Sequence, residues 1–501
     1  MTSSSPASRQ DMIAKIASAC GDLFPRAKGA EHFAEQFLRR TSSEDLSRFA
    51  VADMVGMISN MAEFARQYRS RRHALRVYNP DPDQHGYATS ATVVEMVAVD
   101  SPFLVDTLSM RLSELGQTIE LIIHPVMWFE LDKKQRPQRL MRHSSGDGQA
   151  FSLIHVQIEK QVDRKLLNRI KRNIQKALTQ VKMAVDDWQP MQQRVSDIIT
   201  NIDDELPQAG IDRDEAVAFM RWLLDNHFTF LGYREYVMAK SGSERELRVQ
   251  EGSGLGIMSH QKSAQAQRKL RSLSEGAQDV EKAHDIILIT KTNARSPMHR
   301  SGYMDYIGVM CYDRRGKVVG EHRLLGMFTS RAYNQPTADV PILRHKIANV
   351  VAQSGLRRGS HECKALLHIL ETLPRDELLQ ANADELYSLA IGVLDLQERP
   401  QTRLFIRRER YGRFYSCLVY IPRDRYNTEN RIKIQSILKR GLRGDHVDYS
   451  AQVSESNLAL LHVIVRPRDE SGQVAAAHVL QERIWTALTL WRDELKKTLL
   501  N

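Results

Sequence analysis

Apolar residues recur along this chain with two periods, and the switches between them mark its elements. After polar residues to position 10, Met12, Ile13 and Ile16, and later Met54, Met57, Ile58 and Met61, fall at helical spacing, so the pattern predicts helices from Asp11 to about Arg72. Thr92 to Asp100 reads as a strand that halts at Ser101-Pro102, where proline suits the first turn of a helix. Leu104, Leu108, Leu112 and Leu115 continue at helical spacing to Gly116, a residue suited to the left-handed position after a helix end. Ile119 to Phe129 predicts a second strand, Asp132 to Gly148 a loop, and Phe151 to Ile158 a third strand. A long amphipathic helix then carries Val162, Leu166, Ile170, Ile174, Leu178 and Val181 on one stripe. This order, β-α-β-β-α, shows no fourth strand, so the unit is either truncated or completed from elsewhere.

A polar break at Asp203 to Gly210 precedes a restart at Asp212, with Glu215 three residues on as in a capping box. Phe219, Met220, Leu223 and Leu224 mark the helix, and strands follow at Phe228 to Tyr236, Asp285 to Lys291, Tyr303 to Tyr312 and Lys317 to Phe328. Asp313-Arg-Arg-Gly316 reads as a hairpin turn between the last two. From Pro341 to Leu396 the spacing is helical again, and Pro400 closes that stretch. A final unit follows: strands at Thr402 to Arg408 and Arg413 to Ile421, a helix from Thr428 to Gly441, strands at His446 to Val453 and Leu458 to Val465, and a helix from about Val474. The reading is multidomain α+β, with helices and antiparallel sheets in segregated layers.

At 501 residues the chain exceeds what one core supports, and 42% hydrophobic with 26% charged residues is ordinary for a globular protein. The formal charge of +10 is spread along the chain; Arg69, Arg71 and Arg72 form its densest cluster and Lys133 to Arg142 a looser one. Neither amounts to a recognisable nucleic-acid module, so solvated faces are the plainer reading and no nucleic acid is expected. Cys20, Cys311, Cys363 and Cys417 are far apart and form no CxxC pair, which argues against a disulfide framework and a zinc site and for a cytoplasmic location. Met1 to Arg9 lacks a signal-peptide core, and no apolar run approaches the ~20 residues of a membrane span.

Candidate chemistry is sparse. His361-Glu362 resembles the start of a zinc motif, but Ala365 stands where the second histidine must be. Gly252-Ser-Gly-Leu-Gly256 lacks the lysine and spacing of a phosphate loop and reads as a turn. Phe228, Phe230 and Tyr236 would share one strand face, a core stripe more simply than a base-stacking platform. Asp100, Ser101, Pro102 and Asp106 gather where a strand becomes a helix. There, exposed N–H groups and the helix dipole would favour a ligand carboxylate; alternatively Asp100 caps the helix and Asp106 is solvated. No metal or cofactor ligand set appears.

The layer order of the first unit is that of a ferredoxin-like or ACT module. Five segments in order, Ser101-Pro-Phe-Leu-Val-Asp106, Ile122-Ile-His-Pro125, His227 to Tyr236, Val319 to Ser330 and Tyr420 to Tyr426, resemble the amino-terminal region of the large bacterial NAD-specific glutamate dehydrogenases. The resemblance implies a helical lead-in at 1–80, an ACT-like domain at 81–190, a middle PAS-like α+β domain at 191–338, a helical connector at 339–400 and a second ACT-like domain at 401–501. It also implies a cytoplasmic homo-oligomer whose parent enzyme oxidises L-glutamate with NAD to 2-oxoglutarate and ammonia. The functional expectation is an amino-terminal regulatory and assembly region with the catalytic, NAD-binding part elsewhere; the alternative is a stand-alone ACT-type amino-acid sensor. No catalytic residue and no bound cofactor are expected in this chain. In ACT modules the loop after the first strand takes a small amino-acid effector. Here Asp100 matches that loop, while Phe103 stands where its turn glycine is common, and the bulk of Phe103 hinders close backbone approach.

Overall fold

The apolar runs that read as strands form three antiparallel sheets among the described residues. This computed structural model describes residues 6–69, 73–142, 148–205, 213–241, 244–259, 286–313, 315, 317–398, 400–454, 456–468 and 474–488. The chain divides into two units: Met1–Asp186 with Ser296–Gly302, and Asp187–Arg295 with Tyr303–Asn501.

In the first unit the strands are β1 (Ala74–Tyr78), β2 (Ala91–Val99), β3 (Ile119–Ile123), β4 (Val126–Leu131), β5 (Pro137–Leu140) and β6 (Gln149–Glu159). Their order is β1-β2-β6-β4-β5, with β3 also on β6. Residues 91 to 98 of β2 are all buried, which explains why this central strand is apolar at most positions of both faces instead of alternating, with Thr92 and Glu95 the buried polar exceptions. Helices Phe33–Leu38 and Val51–Arg66 bury Phe37, Met57 and Met61 in one cluster with Val97, Phe129 and Phe151 of the sheet. Helices Leu104–Glu114 and Arg164–Asp186 pack on each other.

Three sequence expectations need correction. The strand not seen in the sequence is β1, which lies upstream, in the stretch read as helical lead-in, and pairs antiparallel with β2, Leu75 opposite Met96 and Val77 opposite Val94. The sheet is thus completed from elsewhere in the chain. The single strand expected at 119–129 is two, broken at His124-Pro125, because proline cannot donate to the ladder. The stretch 132–148 read as loop contains β5, in which Pro137 and Leu140 are buried and the two residues between them are exposed.

A buried polar group ties β1 into place. Arg76 on β1 reaches the Glu95 carboxylate on β2 (Nη2 to Oε2 2.5 Å), and His155 Nδ1 on β6 donates to Glu95 Oε1 at 2.8 Å. Tyr78 on β1 adds its hydroxyl at 3.1 Å, and Arg76 also donates to the Asn60 carbonyl in helix Val51–Arg66. Burial would raise the Glu95 carboxyl, but His155 and Arg76 outweigh it and leave its pKa below the usual range.

In the second unit, β7 (Phe228–Ser241), β8 (Glu244–Val249), β9 (Leu255–Gly256), β10 (Ile287–Arg295), β11 (Tyr303–Tyr312) and β12 (Val318–Phe328) form a sheet ordered β10-β11-β12-β7-β8, with β9 on β7. The shared face expected for Phe228, Phe230 and Tyr236 is wrong. A register shift inserts Leu231 as an extra residue, since Phe230 faces Gly326 and Gly232 faces Leu325. Beyond that bulge the alternation flips, so Tyr233 joins the face of Phe228 and Phe230 while Tyr236 turns to the other. Phe228, Phe230 and Tyr236 are core, as expected, and Tyr233 is buried with them. Asp212 of the capping box and residues 314 and 316 of the hairpin turn lie outside the described residues.

Helices Leu343–Gln353, His361–Thr372, Arg375–Gln380 and Ala383–Glu398 follow, then β13 (Arg403–Arg408), β14 (Tyr415–Pro422), β15 (Gly444–Gln452) and β16 (Leu458–Pro467) in the order β13-β14-β16-β15. Helices Thr428–Gly441 and Ala477–Leu488 complete this layer. Here too the first strand lies at the edge beside the central strand that leads into a helix, the plan of β1 and β2. Adjacent carboxylates in one short helix tie the parts of this unit together: Asp376 meets Lys291 of β10 (3.1 Å), and Glu377 meets Arg407 of β13 (2.5 Å) and the Ser416 hydroxyl of β14 (2.6 Å).

Candidate functional site

Strand β2 leaves the core at Val99, and the chain turns through Asp100, Ser101, Pro102 and Phe103 into helix Leu104–Glu114. Beside this turn lies a cavity of about 390 Å³, a size within the usual range for small-ligand sites. Leu104 and Phe151, with Leu178 and Val181 from helix Arg164–Asp186, supply apolar lining; Asp100, Ser101, His73, Gln135, Gln149, Lys182 and Asp186 supply polar groups of both charge signs. Lys182 Nζ pairs with Asp186 Oδ2 at 2.5 Å. Tyr68 adds a buried ring; burial raises its phenol pKa, while a hydrogen bond with the backbone of Val99 acts the other way.

Of the four residues named from the sequence, Asp100 and Ser101 line this cavity, and Pro102 and Asp106 are not among its lining residues. Asp100 does not cap the helix: its Oδ1 accepts the Ser152 hydroxyl at 2.5 Å and its N–H donates to the Ala150 carbonyl at 2.9 Å, fixing it against β6. The N-cap position belongs to Phe103, which makes no side-chain cap and holds φ +71°, the left-handed region that favours glycine. That observation explains why glycine is common there and what a phenylalanine costs, on the order of 1–2 kcal/mol. The Phe103 ring is packed against His299, centroids 4.9 Å apart. Asp106 lies beside the same residue, Oδ2 to His299 Nδ1 3.6 Å, and the His299 N–H donates to Thr107 Oγ1 at 3.1 Å. Burial lowers the His299 pKa, and Asp106 opposes that.

Sequence reasoning missed His73, Gln135, Leu178 and Lys182 as lining residues, because three separate segments bring them to the turn. The one available signal was the stripe of Leu178 and Val181, which marked a buried helix face without saying what it faces.

The weaker candidates resolve plainly. His361 and Glu362 are exposed on their helix, and no group of metal-binding side chains occurs among the described residues. The Gly252–Gly256 turn gives two residues to β9, and the Gly256 N–H donates to Asp187 Oδ2 at 2.7 Å, so the protein's own carboxylate takes that N–H. No helix of the described residues is long and apolar enough to cross a membrane.

Comparison with known proteins matches three parts of the chain to domain families: the glutamate dehydrogenase ACT1 domain at residues 33–174, its helical motif 1 at 340–399 and its ACT2 domain at 403–492. The NAD-specific glutamate dehydrogenase of Halomonas elongata is 32% identical over 493 residues, which is 97% of this chain and 31% of that protein. That of Pseudomonas aeruginosa is 33% identical over 473 residues (92% of this chain, 29% of the relative), and that of Mycobacterium tuberculosis 27% over 453 (88% and 26%). The chain thus spans less than a third of the length of these relatives. The matches overturn the functional expectation drawn from the sequence, an amino-terminal piece set apart from catalysis or else a free-standing amino-acid sensor. The relatives that align with nearly all of this chain are large NAD-specific glutamate dehydrogenases, and the modules found are domains of that enzyme. Three parts of this chain thus match the ACT1, helical motif 1 and ACT2 domain families of glutamate dehydrogenase, and the chain is similar over almost its whole length to NAD-specific glutamate dehydrogenases.

Proposed function

We propose that this chain is the regulatory region of a large NAD-specific glutamate dehydrogenase, working within that enzyme, and that its ACT1 cavity takes a small amino-acid effector. The observation that carries the effector site is the cavity itself, with Asp100 and Ser101 at its edge and apolar Leu104, Leu178 and Val181 beside them. Polar groups of both signs around apolar walls suit a zwitterion with an apolar side chain. An effector acts by binding one state of the enzyme better than another, so the cavity's affinity for it must differ between them. The activity we assign to the whole protein is oxidation of L-glutamate by NAD to 2-oxoglutarate and ammonia, in a cytoplasmic homo-oligomer.

The middle sheet supports a PAS-like reading. With β7, β8, β10, β11 and β12 counted in chain order, its strand order is 2-1-5-4-3, that of a PAS sheet. The division at 80, 190, 338 and 400 is part of the same proposal. Purified full-length protein supplied with L-glutamate and NAD tests the assignment: NADH formation is expected, and its absence with NAD would overturn it.

A further inference from the structure

Helices Leu343–Gln353 and His361–Thr372 pack on each other and leave a groove of about 530 Å³. The first helix turns Arg344, Ile347, Ala348 and Val351 toward it, an i, i+3, i+4, i+7 stripe, and the second turns Leu367, His368 and Glu371. The middle of the groove is apolar, with Leu367 43% exposed beside Ile347, Ala348 and Val351. Ala348 is small enough to let another backbone approach. Two adjoining stripes, one carrying a small residue, form the seat that a third helix occupies.

Charge states what kind of helix. Residues 343–372 carry five Lys or Arg and three His against two Glu. Glu371 is answered within the protein, its carboxylate accepting from Thr337 N–H at 3.1 Å and lying 3.7 Å from Arg375. Arg344 is held by Glu215. Arg358 and His368 line the groove and are exposed, and Lys364 lies exposed on the same helix face as His368. We infer that this groove docks an acidic amphipathic helix, its apolar stripe on Ile347, Val351 and Leu367 and its carboxylates beside Arg358, Lys364 and His368.

The test uses the 501-residue chain and a fluorescent synthetic helical peptide with leucines at i, i+3, i+4 and i+7 and glutamates elsewhere. Two control peptides replace the glutamates by lysine or scramble the order. The acidic peptide is expected to bind, both controls at least tenfold more weakly, and Leu367→Asp and Arg358→Glu each to weaken binding at least tenfold. Both positions are exposed, and unchanged thermal melting of Arg358→Glu keeps the result readable should Leu367→Asp misfold. Equal binding of the lysine peptide, no binding of the acidic one, or indifference to Arg358→Glu would overturn the inference. So would displacement of nothing but a long-chain carboxylate probe from the groove, which would make it a site for small amphiphiles.

Discussion

Replacing Glu95 by Gln is the perturbation that probes how the first sheet is completed. The Glu95 side chain is fully buried and bridges three strands, accepting from Arg76 on β1 and His155 on β6 from its place on β2. Removing one member of a buried ion pair strands the other, which generally costs about 3–5 kcal/mol. His155 is fully buried and cannot recover hydration, whereas Arg76 is 26% exposed and can reach water in part, so the low end, about 3 kcal/mol, is expected. For a unit of this size that corresponds to a fall of roughly 6–12 °C in its melting temperature. Because two units need not melt together, hydrogen exchange of the β1 amides is the sharper assay. Exchange across residues 74–78 should accelerate by about two orders of magnitude while β13 and β14 stay unchanged. A loss below about 1 kcal/mol, or equal acceleration in both units, would refute the argument that this group holds β1 to the sheet.

Other perturbations have equally definite outcomes. Gly392 lies in helix Ala383–Glu398, where alanine is normally worth about 1 kcal/mol, but its Cβ would stand 2.6 Å from the Phe405 ring. Gly392→Ala should therefore destabilise, by roughly 1–3 kcal/mol in a urea titration, and any stabilisation contradicts that packing. Burial lowers the His462 pKa, with Glu377 opposing it, so the unfolded chain takes up the proton more readily and stability must fall as pH drops below the ordinary histidine value of about 6.5. Between pH 7.5 and 5.5, a window set by that value, His462→Gln should lose less stability than the wild type; parallel curves would contradict the sign. Asp100→Asn keeps the hydrogen bond from Ser152 but loses the charge, and should weaken amino-acid binding at the ACT1 cavity roughly tenfold or more in calorimetric titration.

Much of the fold was legible because strong periodicity survives burial. The edges of β11 and the turn at Gly116, which holds φ +72°, follow directly from it. What was hidden depended on partners distant in sequence. Ala74–Tyr78 is a five-residue strand with one buried position, so nothing local distinguishes it from a helix end; its place is set by Glu95 and the Val94 ladder. The bulge at Leu231 had one local mark, Gly232 beside it, but both faces of β7 are buried there, so the apolar pattern reads the same before and after the one-residue slip. The candidate site was half legible. Its turn carries Asp100, Ser101 and the strained Phe103 in sequence, but its walls include Tyr68, His73, Leu131, Gln135, Leu178 and Lys182 from distant segments.

The most direct test of the central claim is glutamate-dependent NAD reduction by the full-length protein, titrated with each amino acid, in the wild type and in Leu178→Trp, which fills the ACT1 cavity. At least one amino acid is expected to change the wild-type rate, and the variant to keep its basal turnover but lose that response. An unchanged response in Leu178→Trp would contradict a regulatory role for this cavity.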